Sequence, residues 1–202
     1  MLVTILLLLV AMTVHEVGHG FVAHRLGDDT AKREGRLTLN PLRHIDPFWT
    51  VLLPLMLYFA TKGRFMFGMA KPVPVDFSRL RHPRRDMVWV SLAGPGVNIL
   101  FAAALAFLFK IANNAYILYG IYVNLGLALF NLIPIPPLDG SRVLGGLLPV
   151  RWMVPYFRFE RFGTILILLF YWTGFLMKWV VLAMNFCCRL LQVPDLMQWL
   201  NA

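Results

Sequence analysis

The hydrophobic residues of this chain gather in five long runs that are separated by polar and basic stretches. The runs cover residues 1–24, 48–61, 88–109, 115–138 and 162–188. A membrane-spanning helix needs about 20 apolar residues, and every run except 48–61 is at least that long. The pattern therefore predicts an all-α membrane protein, a polytopic bundle of transmembrane helices that forms one domain over residues 1–202.

The run 48–61 is too short for a straight crossing and contains Pro54 in its middle. Proline removes a backbone donor and interrupts a helix. Basic stretches lie on both sides of this run, so a crossing would place one of them outside the cell. We therefore expect a short re-entrant segment, and such backbone at membrane depth requires protein or a water-filled cavity beside it.

The basic residues indicate how the chain is oriented in the membrane. Sixteen of the 19 lysines and arginines lie in the stretches 25–47, 62–87 and 139–161. Cytoplasmic loops carry an excess of such residues. We therefore expect these three stretches to face the cytoplasm, with the runs 88–109 and 115–138 forming a hairpin that crosses out and back.

Composition agrees with a membrane location. Hydrophobic residues make up 59% of the chain and charged residues 14%, with a mean hydropathy of +0.68. A soluble domain has about 45–50% apolar and about 25% charged residues. The excess of 19 basic over 10 acidic residues would suggest nucleic acid in a soluble protein. Here it indicates loops beside an anionic lipid bilayer, and no nucleic-acid partner is expected.

Two polar stretches have the pattern of a small β element. The stretch 63–76 contains glycines and alternating valine and proline, a pattern that disfavours helix. The stretch 35–41 alternates apolar and polar residues. We expect the two stretches to pair as a small membrane-associated sheet.

The first hydrophobic run contains the motif HEVGH, and ionisable residues inside a membrane segment are typical of functional sites. His15 and His19 are four residues apart and would project from one face of a helix. Two such imidazoles can hold one Zn²⁺, and Glu16 beside them can act as a general base. A structural cluster of hydrogen bonds between helices is the alternative for these residues.

A catalytic zinc ion needs a third protein ligand and one open position. The longer pattern HExxHxxGxxH is not completed, because Arg25 stands where its third histidine would be. Asp139 follows three prolines in FNLIPIPPLDG, and broken backbone at the end of a membrane segment is typical of a presented ligand. An Asp-Gly turn at the surface would explain the same residues. We favour Asp139 as the third ligand, and Glu34 is the second candidate.

Three motifs occur along the chain in the order HEVGH, AGPGVN at 93–98 and NLIPIPPLDG at 131–140. In this order they resemble the site-2 protease family of intramembrane zinc metallopeptidases. The stretches GRLTLNP and AKPVPVD are similar to the compact branch of that family, which lacks a PDZ domain. The resemblance covers about residues 10–150, whereas residues 151–202 match only as a generic final membrane segment.

The resemblance implies one Zn²⁺ per chain, three metal ligands and a catalytic base. The implied ligands are His15, His19 and Asp139, and the implied base is Glu16. The resemblance also implies that Asn131 holds the substrate or the oxyanion, and Asn98 is a further candidate for this role. Either asparagine could instead form hydrogen bonds between helices.

The implied activity is hydrolysis of peptide bonds within or near the transmembrane segments of membrane-protein substrates, as in regulated intramembrane proteolysis. We expect a multi-pass protein of a prokaryotic cell membrane, with the active site toward the cytoplasmic side. The catalytic core would cover about residues 1–150, and a C-terminal membrane segment would follow at 162–188. The AKPVPVD stretch could add an unwound substrate as a strand.

Two other functions fit a zinc site in a membrane protein. One is a zinc carrier, and the other is a catalytically inactive scaffold that binds transmembrane helices. A carrier needs several exchanging ligands along a path, but only Glu16 and Asp139 among the acids adjoin the hydrophobic runs. The intact HEVGH motif argues against an inactive scaffold, so we favour hydrolysis.

Overall fold

The computed structural model describes residues 2–62, 68 and 70–195, and within them the chain folds into helices and short connections. The α-helices are α1 (Leu2–Arg25), α2 (Thr30–Arg33), α3 (Leu53–Ala60), α4 (Pro83–Ala112), α5 (Ala115–Asn131), α6 (Asp139–Leu147), α7 (Val150–Arg158), α8 (Glu160–Trp172) and α9 (Phe175–Leu191). Single 3₁₀ turns lie at Pro41–His44 and Phe77–Arg79. The prediction of a helical membrane protein is confirmed.

Within the described residues, two helices are long and apolar enough to cross a membrane. They are α1, through its part Ile5–Arg25, and the 30-residue α4. Helices α8 and α9 would together make a third span, although the chain bends by 76° between them. Helix α5 is apolar but has 17 residues, which is about 25 Å of helix against a bilayer core of about 30 Å.

The predicted hairpin corresponds to α4 and α5, which pack side by side after a link of two asparagines. Asn113 ends α4 in a left-handed conformation with φ 43°, and the Asn114 side chain accepts a hydrogen bond from Tyr116 N at the start of α5. Small side chains of α4, such as Ala102 and Ala106, lie against the larger apolar residues of α5 in one buried cluster. Helix α5 ends at Asn131 because the prolines that follow cannot continue it.

The last hydrophobic run, predicted as one segment at 162–188, forms two helices. Helix α8 ends at Trp172 and α9 begins at Phe175. Gly174 between them has a φ of 72°, a left-handed conformation that glycine adopts without steric strain. The apolar composition of the run was evident from its sequence, but the sharp bend was not predicted.

The predicted re-entrant run forms one short helical element. A π-helical stretch, Pro47–Leu52, leads directly into α3. The Asp46 carboxylate caps it by accepting from Phe48 N and Trp49 N, both at 2.9 Å. The element has 14 residues, about 21 Å of α-helix, which is shorter than the bilayer core. Whether it crosses the membrane stays a prediction.

The predicted β element is wrong for the part of the chain that the structure describes. Residues 36–40 and 70–76 have no regular secondary structure there, and residues 63–67 and 69 lie outside the described part. The segment 70–76 contains two prolines, which lack an N–H. Among its remaining residues, the N–H groups of Lys71, Val73 and Asp76 donate to acceptors outside 36–40. Too few donors are left for a ladder between the two segments.

Helix α4 is the central element, because it packs against α1, α5 and α6. Gly18 lets α1 approach closely: a Cβ at this position would lie 3.0 Å from the Ala93 carbonyl oxygen of α4. Helix α6 follows the proline-rich stretch and also lies against α4. This arrangement brings the HEVGH motif of α1 and the start of α6 to the same region of α4.

Candidate metal centre

The two histidines of HEVGH lie one turn apart on α1 and point to a common position. Their Nε2 atoms are 3.1 Å apart. Asp139 Oδ2 lies 3.1 Å from His15 Nε2 and 3.2 Å from His19 Nε2. Three side chains that could hold a metal ion therefore meet at one point, although Asp139 is 124 residues from His15 in the chain.

The proline-rich stretch before α6 presents Asp139 to the histidines. Asp139 is the first residue of α6, and Ser141 closes the turn by donating from both its backbone N and its Oγ to the Leu138 carbonyl. Gly140 allows a close approach of the chain, since a Cβ there would lie 2.2 Å from the Leu132 carbonyl oxygen. The local turn therefore fixes the carboxylate at the start of the helix.

The C-terminal helices pack against this proline-rich stretch. The Tyr156 hydroxyl of α7 donates to the Pro134 carbonyl at 2.8 Å. Gly163 of α8 faces the Pro136 carbonyl oxygen, which leaves no room for a Cβ. Residues beyond 150 therefore support the Asp139 turn, a contribution that their apolar sequence did not reveal.

Each imidazole is also held at its other ring nitrogen. His15 Nδ1 lies 2.6 Å from Asn98 Oδ1, and His19 Nδ1 lies 2.7 Å from the Val90 carbonyl. Both partners are acceptors, so each Nδ1 carries the proton and each Nε2 keeps its lone pair for a metal. Such contacts fix the tautomer and the ring orientation.

Asn98 lies in the interior, between three helices. Its side chain is 0% exposed, and its Nδ2 donates to the Ala11 carbonyl at 3.0 Å and to Asn124 Oδ1 at 2.8 Å. The structure therefore places Asn98 behind His15, with its amide groups engaged by the protein. This geometry allows Asn98 to orient the His15 ring, and its candidate role in binding the substrate or the oxyanion stays a prediction.

Gly94 makes space for the three ligand atoms. A Cβ at this position would lie 2.3 Å from His19 Nε2 and 2.7 Å from His15 Nε2. Val90, Gly94 and Asn98 are spaced by four residues and so form one stripe of α4. This stripe faces His19 at one end and His15 at the other. Gly94 was noted only as part of the motif AGPGVN, and Val90 was not predicted to belong to the site; their spacing of four and eight residues from Asn98 was the available signal.

Glu16 lies beside the cluster on α1. Its Oε2 accepts a hydrogen bond from the Val73 backbone N at 2.7 Å. The carboxylate is thus held by a peptide group of the segment 70–76, and it is not one of the three converging ligands. A carboxylate beside the candidate ligands but outside their set is an arrangement that permits general-base catalysis.

The other candidates are not among the three converging side chains. Asn131 ends α5, and its Nδ2 donates to the Leu127 carbonyl one turn earlier. Glu34 is exposed at the end of α2. His24 pairs with Asp29 at 2.5 Å. Within the described part of the chain, the group that could hold a metal consists of His15, His19 and Asp139.

The three donor atoms fit a tetrahedral zinc site. Zinc bonds of about 2.0–2.1 Å place neighbouring ligand atoms about 3.3 Å apart, and the separations here are 3.1–3.2 Å. Burial alone would raise the pKa of the Asp139 carboxyl, but the two histidine rings beside it hold that pKa well below its usual range. The carboxylate is therefore ionised at neutral pH, the form that binds a metal.

Comparisons with known proteins place the chain in a family. The sequence model of peptidase family M50 matches residues 110–174, which include Asp139. YwhC of Bacillus subtilis, named as a candidate zinc metalloprotease, is 38% identical over 183 residues, covering 84% of this chain and 80% of YwhC.

Rip2 proteins, which bear a similar name, match over a shorter length. Rip2 of Mycobacterium tuberculosis is 38% identical over 143 residues, covering 67% of this chain and 53% of that protein. Rip2 of Mycolicibacterium smegmatis is 34% identical over 143 residues, with the same coverage. No solved structure matches the chain. The extent of the YwhC match shows that the chain belongs to peptidase family M50, the site-2 protease family of zinc metalloproteases.

Proposed function

We propose that this chain is an intramembrane zinc metalloprotease that hydrolyses peptide bonds within or near the transmembrane segments of membrane proteins. The observation that carries the proposal is the convergence of three ligand atoms at 3.1–3.2 Å, two of which belong to a helix that is apolar enough to span a membrane. Membership of peptidase family M50 supports the reaction type.

His15, His19 and Asp139 would hold one Zn²⁺ and leave its fourth position open, as catalytic zinc sites do. Bound zinc supplies a Lewis acid that polarises the scissile carbonyl and lowers the pKa of water. Asn98 and the Val90 carbonyl keep both histidines in the tautomer that leaves Nε2 free. The protein thus contributes a fixed set of donors before the substrate arrives.

Glu16 would act as the general base. It takes a proton from the attacking water and later passes this proton to the leaving amine. One of its oxygens is held by the Val73 N–H, so the other oxygen has a restricted orientation toward the reacting groups. Asn131 stays a candidate for a substrate contact, at the end of the helix that precedes the proline-rich stretch.

The substrate class follows from where the site lies. The two histidines are buried in α1, one of the two long apolar helices. A transmembrane helix has its carbonyls engaged in internal hydrogen bonds, so a substrate helix must unwind locally before its carbonyl can be attacked. We infer that the substrates are membrane proteins with an unwound stretch near the cytoplasmic face, as in regulated intramembrane proteolysis.

The decisive experiment compares Glu16→Gln with the wild type on a reporter transmembrane substrate in detergent or vesicles. Cleavage should fall below detection, because the base is lost, while zinc content and folding should be unchanged because no ligand is lost. Glu34→Gln, which alters an exposed acid, is the matched control and should cleave normally. Appreciable cleavage by Glu16→Gln would contradict the role of Glu16.

A further inference from the structure

Residues 70–76, here called the strap, pass over the part of α1 that carries Glu16. The strap contains the AKPVPVD motif, and its link to the proposed reaction is the Val73 N–H that bonds to Glu16. It has no regular secondary structure, so its position depends on individual contacts. Its backbone is bonded to the rest of the protein near its beginning, at its centre and at its end.

Arg36 holds the beginning of the strap. Its Nη2 donates to the Lys71 carbonyl at 2.9 Å and to the Pro72 carbonyl at 3.3 Å. Arg36 is only 8% exposed, and it takes part in none of the ion pairs of the described residues. A buried guanidinium is costly without hydrogen-bond partners. The strap carbonyls therefore take the place of a carboxylate for this cation.

Asp28 holds the end of the strap. Its side chain is 0% exposed, and its Oδ2 accepts from the Asp76 backbone N at 2.7 Å. Its Oδ1 accepts from the backbone N of Thr30, at the start of α2, at 3.0 Å. One buried carboxylate thus joins the strap to the connection that follows α1.

Val73 occupies the centre of the strap and contacts α1 in two ways. Its N–H donates to Glu16 Oε2 at 2.7 Å. Its side chain covers Gly20, where a Cβ would lie 2.8 Å from Val73 Cγ1. Pro72 and Pro74 restrict the backbone on either side, because proline fixes its own φ and limits the residue before it. The N–H is therefore presented from a stiff segment.

We propose that Arg36 is a positioning residue of the peptidase, which holds the strap so that the Val73 N–H orients the Glu16 carboxylate. The proposal rests on the proposed function for Glu16. A charge-assisted hydrogen bond to one carboxylate oxygen restricts the rotation of the side chain and leaves the second oxygen to accept the proton. Arg36 acts through the strap rather than on the substrate.

The first test measures hydrogen exchange of the full-length protein in detergent. Because prolines have no N–H, residues 72–74 contain a single exchanging amide, that of Val73. Exchange at this amide should rise about tenfold or more in Glu16→Ala, which removes the acceptor, and in Arg36→Met, which releases the strap. The exposed Arg33 gives the control Arg33→Met, which should exchange like the wild type.

The second test separates positioning from folding. Arg36→Met should lower kcat about 10- to 100-fold, since small misplacement of a reacting group has effects of this size. KM, zinc content and the exchange of α4 amides should stay at wild-type values. Arg36→Lys, which can still donate to a strap carbonyl, should recover most of the lost kcat.

The outcomes distinguish this proposal from the proposed function. Unchanged Val73 exchange in Arg36→Met, or equal loss of activity in the lysine variant, would overturn the positioning role. Loss of zinc or of α4 protection in both Arg36 variants would overturn it too, because the residue would then be structural. The exchange experiment does not measure turnover. It therefore still tests whether Arg36 holds the strap, even if Glu16→Gln cleaves the substrate.

Discussion

His15 and His19 each make a polar contact at both ring nitrogens, and these contacts determine the orientation of the two rings. The Nδ1 atoms face a side-chain amide and a backbone carbonyl of α4, while the Nε2 atoms face Asp139. A histidine fixed in this way has little rotational freedom to lose when a metal binds. The ligands are therefore arranged for metal binding by the folded protein itself.

At the scale of single residues, the assignment of Asp139 as the third metal ligand can be tested. Asp139→Ala should lower zinc affinity by at least about 100-fold, which exceeds the usual effect of losing a residue that only orients a ligand. Glu34→Ala should retain full zinc, because Glu34 is exposed at the end of α2. The zinc content per chain, measured on both purified variants after dialysis, decides whether Asp139 or Glu34 is the third ligand. A zinc-replete Asp139→Ala with a depleted Glu34→Ala would reverse the assignment.

At the scale of elements, the pairing of α1 with α4 builds the centre. His19 meets Val90 and His15 meets Asn98, so the two helices run in opposite directions across the site. Gly94 lies between these two contacts and leaves room for both Nε2 atoms. The distance between the helices at this point is thus set by a residue without a side chain.

Two neighbouring glycines allow a controlled test of this spacing. Gly94→Ala should abolish zinc binding and cleavage, because its Cβ would lie 2.3 Å from His19 Nε2. Gly96→Ala should retain both, since a Cβ at Gly96 meets nothing within 4 Å. It should also stabilise the helix slightly, as alanine is favoured over glycine by up to about 1 kcal/mol. Zinc content and thermal unfolding of the two variants check these outcomes; equal behaviour would contradict the spacing argument.

At the scale of the whole molecule, the site belongs to a membrane-embedded framework. Helices α1 and α4 are the two long apolar helices, and the stretches between the hydrophobic runs carry most of the basic charge. The short element Pro47–Ala60 lies between two such basic stretches. We therefore predict that both of its flanks and the candidate metal centre lie on the cytoplasmic side.

Thiol labelling of intact cells tests this topology. In a background with Cys187 and Cys188 replaced by alanine, single cysteines at the exposed positions Arg33 and Lys62 flank the short element. Neither should react with a membrane-impermeant reagent. A cysteine at the exposed Ala112, the last residue of α4 before the link of the hairpin, is the positive control and should react. Labelling of one flank but not the other would mean that the short element crosses the membrane.

The sequence by itself determined the features that depend on local pattern. Long apolar runs identified a helical membrane protein, because a bilayer requires about 20 apolar residues for each span. Spacing by four residues placed His15 and His19 on one helix face. The prolines in the run 115–138 predicted broken backbone near its end, and α5 does end before them, at Asn131. The motif order indicated the peptidase family, and the comparisons confirmed it.

Apart from the meeting of Asp139 with the two histidines, contacts between distant parts of the chain were revealed only by the tertiary structure. The predicted β element failed because the strap's N–H groups bond to His44, Glu16 and Asp28 instead of to a neighbouring strand. The bend at Gly174 and the support of the Asp139 turn by α7 and α8 left no periodic signal in the sequence. Periodicity reports which face of a helix is apolar, but the partner of a given hydrogen-bonding group depends on how the helices pack.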